Sequence, residues 1–290
     1  VLRRAGKLPK SRENIPYSPR RQVLKGSDHP GGPVYGEPVP NAVFKVPTGG
    51  GKTYLAVSAL SRVFGRYLGC NTGFVLWVVP NEAIYTQTWK QLNDRQHPYR
   101  LMLERAAAGR VKVLDKATRL DRRDVDENLC VMLLMLHAAR RTDKAQLRMF
   151  KDRGDVYGFF PSDGDQEAHA RLLREIPNLD TYDLADGHAQ WPQVKDSLGN
   201  VLRSIRPVVV MDEDQRAVSE LGFETLFGFN PSFVLGLSAT PVDVAARGGS
   251  KPRPARHANI LVEVSGTDLD REGMVKMPLN LDARQGTDWR

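Results

Sequence analysis

An α/β fold with a mostly parallel sheet flanked by helices on both faces is predicted by three features of this sequence. Short, almost wholly apolar runs recur along the chain: "AVFKV" (42–46), "GFVLWVV" (73–79), "RVKVL" (110–114), "LCVMLLML" (129–136), "PVVVMD" (207–212), "FVLGLS" (233–238) and "NILVEV" (259–264). Strands of this kind have no solvent face, so the sheet they form is covered on both sides. Longer stretches that read as helices fill the intervals, at 52–68, 81–93, 97–108, 166–175 and 193–205. Finally, 290 residues with 41% hydrophobic content are enough to bury a substantial core.

In chain order, residues 1–40 are rich in Pro, Gly and Arg and carry no sustained periodicity, which predicts a basic, mostly irregular arm. Residues 41–265 hold the alternation of strands and helices, and 266–290 read as the start of a linker. The stretch 140–206 is the least regular. Within it, "SDGDQE" (162–167) superficially resembles a calcium loop but lacks the D-x-[DN]-x-[DN]-G order and the closing Glu, so a solvated turn is expected. The start at Val1 and the unfinished end at "DARQGTDWR" read as those of a fragment.

Lys and Arg outnumber Asp and Glu by 42 to 34, for a net charge of +8, which favours an anionic partner but equally fits a solvated surface. Cys70 and Cys130 are the only cysteines and have no metal-ligand spacing, which points away from a disulfide framework or structural zinc and toward a reducing, cytoplasmic setting. No apolar run reaches the length of a membrane span, and the basic N-terminus lacks the apolar core of a signal peptide, so no membrane partner is expected.

The chemistry begins at "KVPTGGGKTYLAV" (45–57), an apolar strand that runs into three glycines and then a helix. A phosphate-binding loop needs converging backbone N–H groups, a helix N-terminus behind them and a lysine within reach of the terminal phosphates. Pro47, Thr48, Gly49, Gly50 and Gly51 would form that loop, Lys52 would supply the charge, and Thr53 a hydroxyl for Mg²⁺. Against the pattern G-x-x-x-x-G-K-[ST], Val46 stands in place of the first glycine. The plainer alternative is a glycine turn capping an ordinary strand–helix unit.

In "PVVVMDEDQ", an apolar run delivers Asp212 to the C-terminal end of a strand, with Glu213 beside it. Ligands of open α/β sheets bind at that edge. Alone, such a pair is a solvated turn; coupled to a phosphate loop, Asp212 becomes the candidate for Mg²⁺ and Glu213 for the attacking water. A third strand ends in "LSATP" (237–241), where Ser238 and Thr240 could bond to the acidic strand and report the γ-phosphate, or could merely close a buried strand with a turn.

Together and in this order, "PTGGGKT", "DEDQ" and "SAT" resemble motifs I, II and III of the superfamily-two helicases and translocases, and "VLWVVPNEAIYTQTWKQL" (75–92) resembles their motif Ia. "SLGNVLRSIRPVVVMDE", "FGFNPSFVLGLSATP" and "NILVEVSGTDLDREGMVKMPLNL" are similar to the helicase part of type III restriction enzymes and their stand-alone DEAD/DEAH relatives, over most of residues 41–282. The resemblance implies a RecA-like first motor domain at 41–265 that binds ATP and Mg²⁺ and moves along or opens duplex nucleic acid, DNA foremost, with 266–290 leading toward a second motor domain. By the match, Lys52 contacts the β- and γ-phosphates, Thr53 and Asp212 hold the metal, and Glu213 orients the water. Gln215, Ser238, Ala239 and Thr240 couple that state to the nucleic acid, and Pro80 and Asn81 grip the backbone of one strand. Gln22, in "YSPRRQ", is a faint counterpart of the glutamine that recognises adenine. A modification methyltransferase or a nuclease is the implied protein partner.

Three departures from the family pattern stand out. Gln215 occupies the place of the usual His, and Asp214 adds a third carboxylate where a small residue is common. No stretch after "SAT" resembles a second motor domain with its arginine finger. Because such an arginine is worth roughly 10³–10⁵ in rate in related enzymes, this chain alone is expected to bind ATP and hydrolyse it poorly. No D…E-x-K nuclease constellation is found. Other phosphate-loop classes would show an LSGGQ-like signature or an arginine-rich lid, and neither occurs. The remaining alternative is a non-hydrolysing nucleic-acid clamp, built on the arm (Arg3, Arg4, Lys7, Lys10, Arg12, Arg20, Arg21) and on "SKPRPARH" (250–257). Both segments read equally well as solvated charge runs.

Overall fold

The computed structural model describes residues 39–115, 118–135, 154–182, 190–212, 225–241 and 258–274. Its main sheet contains β1 (Asn41–Lys45), β2 (Gly73–Val79), β3 (Val111–Leu114), β5 (Leu129–Met135), β7 (Val208–Asp212), β8 (Phe233–Ser238) and β9 (Ile260–Glu263). Their spatial order is β3-β5-β2-β7-β8-β1-β9, and every neighbouring pair is parallel. Two short strands, β4 (Leu120–Asp121) and β6 (Val156–Tyr157), form a separate parallel ribbon.

The central strands β2, β5, β7 and β8 are buried almost throughout, and because successive side chains point to opposite sides of the sheet they feed a core on each face. Along β2, Val75, Trp77 and Val79 join one core cluster, while Phe74, Leu76 and Val78 join the other. The first cluster is covered by α1 (Lys52–Arg62), α2 (Glu82–Asn93) and α3 (Pro98–Ala106), through residues such as Leu60, Leu92 and Leu103. The second is covered by α4 (Arg122–Glu127) and α6 (Leu198–Ile205), through Val125, Val201 and Leu202. α5 (Gln166–Glu175) and α7 (Gly266–Arg271) complete the helices described. This is the α/β fold expected from the sequence, a largely parallel sheet flanked by helices, consistent with a RecA-like core.

Local chemistry sets the helix starts. Asn81 caps α2 by accepting the N–H of Ile84 at 3.0 Å, and Ser197 caps α6 by accepting that of Asn200 at 3.2 Å. In "SDGDQE" the turn expected from the sequence is at Asp163 and Gly164; Asp165 then caps α5 by accepting the N–H of Ala168, and Gln166 and Glu167 begin the helix. The helix expected at 193–205 is shorter, starting at Leu198. Val194 forms an antiparallel bridge with Thr181, and Lys195 N–H donates to the Asp180 carbonyl at 2.9 Å, so the chain is extended until Ser197 caps the helix. The single helix expected at 52–68 is α1 followed by a π-helical segment at Val63–Leu68, which ends at left-handed Gly69.

Arg100 ties α2, α3 and β3 together. Its guanidinium donates to the carbonyls of Leu92 (3.1 Å) and Val111 (2.7 Å) and to Glu104 (2.8 Å), and the residue is buried. Arg100→Met removes these donors and leaves two buried carbonyls short of a partner. The expected loss is about 2–3 kcal/mol of stability, read as a lower denaturant midpoint at unchanged slope.

The two thiols differ in the same physical way. Cys70 is exposed, whereas burial, reinforced by the Asp124 carboxylate, pushes the Cys130 thiol up to about 12. A maleimide at neutral pH is therefore expected to modify Cys70 alone in the native chain and both cysteines after denaturation, as counted by mass spectrometry. Rapid native labelling of Cys130 would contradict the burial.

Candidate functional site

The parallel sheet brings the C-terminal ends of its strands to one edge, and three of the sequence-predicted segments meet there. Lys45, the last residue of β1, pairs with Ser238, the last of β8, and Asp212, the last of β7, pairs with Leu237. With neighbouring strands about 4.8 Å apart, the backbone of Asp212 lies roughly 10 Å across the edge from the end of β1, and Ser238 stands between them. Asp212 and Ser238 are both buried.

The glycine segment leaves this edge as a tight loop. Val46, fully buried, donates its N–H to the Ser238 carbonyl at 2.9 Å, which fixes the start of the loop to β8. Gly50 N–H then donates to the Pro47 carbonyl at 3.0 Å and turns the chain back. Gly49 and Gly51 have φ of +85° and +77°, in the left-handed region that a Cβ disfavours. Gly51 is the N-cap of α1 and brings no side-chain acceptor to the helix's first turn. At Gly50 the constraint is space: a Cβ there would lie 2.7 Å from Val46 Cγ1 and 3.1 Å from the Pro47 carbonyl oxygen. Thr48 and Gly49 are exposed at the tip, and Pro47, Lys52 and Thr53 are half-buried beside it.

Behind the loop, α1 is anchored by Ala56, Val57, Ala59 and Leu60, a buried stripe facing the sheet. Its N-terminus is therefore held at the strand ends, where the partial positive charge of the helix adds to that of the loop amides.

In the "SAT" segment, the Ser238 hydroxyl accepts the N–H of Thr240 at 3.2 Å, which is the turn geometry of the plainer alternative. Ala239 is half-buried and Thr240 exposed. Pro80 and Asn81 follow β2, on the far side of β7 from the loop but on the same sheet edge. Asn81 is exposed, and its side-chain oxygen is engaged as the cap of α2. Glu213, Asp214, Gln215, Gln22, the basic residues of the arm and the segment 250–257 lie outside the described residues.

Sequence reasoning missed one wall of the loop. Val264 N–H donates to the Lys45 carbonyl at 2.9 Å, and Lys45 Nζ pairs with Glu263 at 2.6 Å, so β9 and the chain after it are held against the end of β1. Leu269 of α7 then reaches the loop, with its Cδ1 3.0 Å from where a Gly50 Cβ would be. The available signal was the S-x-x-D capping pattern of "SGTD" ahead of that leucine.

No helix among the described residues is long and apolar enough to cross a membrane. No curated protein matches the chain. A family model described as type III restriction enzyme, res subunit, matches residues 35–243, a span that runs from before β1, through the glycine loop and Asp212, to just beyond "LSATP". The fold is accordingly of the helicase-superfamily kind, consistent with nucleic-acid-associated ATPase activity. The chain belongs to the family of the type III restriction enzyme res subunit.

Proposed function

We propose that this chain is the first motor half of an ATP-dependent DNA helicase or translocase, which binds ATP with Mg²⁺ at residues 47–53 and hydrolyses it weakly when taken alone. The observation that carries the reading is the placement, at one sheet edge, of a glycine loop opening a helix and a buried aspartate two strands away.

The residues present suit the ligand. Gly49 and Gly51 have open space where a Cβ would stand or only a distant neighbour, Thr48 and Gly49 are exposed, and the N-terminus of α1 lacks a side-chain cap, so an anion would complement it. Thr53 and Asp212 offer hard oxygen donors, the class that Mg²⁺ prefers. No group of three or more His, Cys, Asp or Glu that could hold a metal occurs among the described residues. Mg²⁺ in nucleotide sites takes few protein ligands and completes its shell with phosphate and water, so one carboxylate and one hydroxyl suffice. When bound, ATP supplies the phosphoryl group transferred to water, and Mg²⁺ offsets its negative charge. In this reading Lys52 holds the terminal phosphates, Glu213 orients the water, and Gln215, Ser238, Ala239 and Thr240 relay the state of the site. Pro80 and Asn81 lie along the same edge, where they contact the nucleic-acid backbone. The protein partner in this reading is a modification methyltransferase or a nuclease, acting outside this site.

Steady-state ATP hydrolysis with Mg²⁺, with and without duplex DNA, tests the proposal. Slow turnover that rises on adding DNA is expected, together with DNA affinity that falls steeply with salt, the mark of phosphate contacts. DNA binding that is indifferent to nucleotide, with no turnover under any condition, would instead favour the non-hydrolysing clamp.

A further inference from the structure

We propose that Leu269 is a positioning residue for the glycine loop, holding Gly50 and thereby the direction of the amides that face the phosphates. The proposal rests on the nucleotide-site reading above.

Glycines at 49, 50 and 51 give the loop access to conformations that other residues cannot reach, and that freedom must be lost before the amides can converge on an anion. A binding site whose flexible segment is already ordered avoids that cost on binding. Two side chains close over Gly50 in the structure, Val46 Cγ1 and Leu269 Cδ1, 2.7 Å and 3.0 Å from the position of its missing Cβ. Val46 belongs to the loop's own strand end. Leu269 comes from 219 residues further along the chain and is the buried residue of α7.

The rest of the segment fixes where Leu269 sits. β9 pairs with β1, Glu263 pairs with Lys45, and Val264 N–H bonds to the Lys45 carbonyl. Ser265 and Asp268 form a reciprocal capping box that starts α7, and the Leu269 carbonyl accepts the N–H of Met274 at 2.8 Å. α7 is otherwise polar, with the sequence "GTDLDR", so Leu269 is its one large apolar side chain, and it is buried beside the loop.

Calorimetric titration with MgATP separates this role from ordinary packing. Leu269→Ala is expected to raise the Kd about tenfold, equivalent to ~1.4 kcal/mol. Leu269→Met, which refills the volume, is expected to restore the wild-type value to within about twofold. Leu202→Ala, in the core on the opposite face of the sheet, is the control: it lowers the melting temperature at least as much and leaves the Kd unchanged. If Leu269→Ala does not fold, Leu269→Val is the substitute, with an expected rise of about threefold in Kd, ~0.65 kcal/mol. An unchanged Kd in the Leu269 variant, an equal loss in Leu202→Ala, or no recovery with Met would overturn the proposal. Lys52→Ala in the same series distinguishes the two levels. Wild-type binding that does not depend on Lys52 overturns the nucleotide site and this proposal together, whereas Lys52-dependent binding with an indifferent Leu269 overturns the positioning role alone.

Discussion

Lys52→Ala is expected to abolish ATP binding, with affinity falling at least about a hundredfold, or ~2.7 kcal/mol. Lys52 is the first residue of α1, directly after a loop whose shape is set by Gly50 and by the bond from Val46 to Ser238. In the proposed site a cation there would add its charge to that of the helix terminus. Removing it takes away a charge-assisted contact without disturbing the buried stripe of Ala56, Val57, Ala59 and Leu60, so the fold should persist. Competition against a fluorescent ATP analogue, with circular dichroism as the check on folding, reads the effect. Unchanged nucleotide affinity in the folded variant would sink the phosphate-loop assignment.

Glu213→Gln should separate binding from chemistry. The residue follows Asp212 directly, at the end of a strand whose five residues are all buried. If Asp212 serves the metal, its neighbour serves the water, and an amide cannot act as the base. ATP affinity should therefore stay within about twofold, while hydrolysis falls by roughly 10²–10⁴. Because turnover by the isolated chain is expected to be slow, the comparison is best made with duplex DNA present and by single-turnover release of phosphate. Equal rates before and after the substitution would reject the catalytic role of Glu213.

What the sequence made legible follows from how each part is stabilised. The seven strands of the main sheet were found to within one residue at either end: burial on both faces forces a near-continuous apolar run in the central β2, β5, β7 and β8, and the partly exposed edge strands β3 and β9 keep a shorter one. The glycine loop was legible because its backbone needs left-handed turns at 49 and 51 and bare space at 50, demands that only glycine meets in succession. The ribbon of β4 and β6 was not, since two-residue strands carry no period. Nor was the late start of α6, where local pattern continued into 193–197 but pairing with Thr181 and Asp180 prevailed. Within α6, Asn200 and Arg203 are buried on bonds to Asp180, a partner 20 residues or more away. Only the folded chain reveals that pairing. Leu269 is the same case at the site itself: one leucine in a polar stretch has no periodic context, and its importance comes from the crossover that sets β9 beside β1.

The proposed ATP–Mg²⁺ site of residues 47–53 and Asp212 is tested most directly by a calorimetric titration of ATP into the wild-type chain with and without Mg²⁺. Saturable binding of one nucleotide per chain, tighter when Mg²⁺ is present, is expected. Absence of saturable binding, or binding indifferent to Mg²⁺, would contradict it.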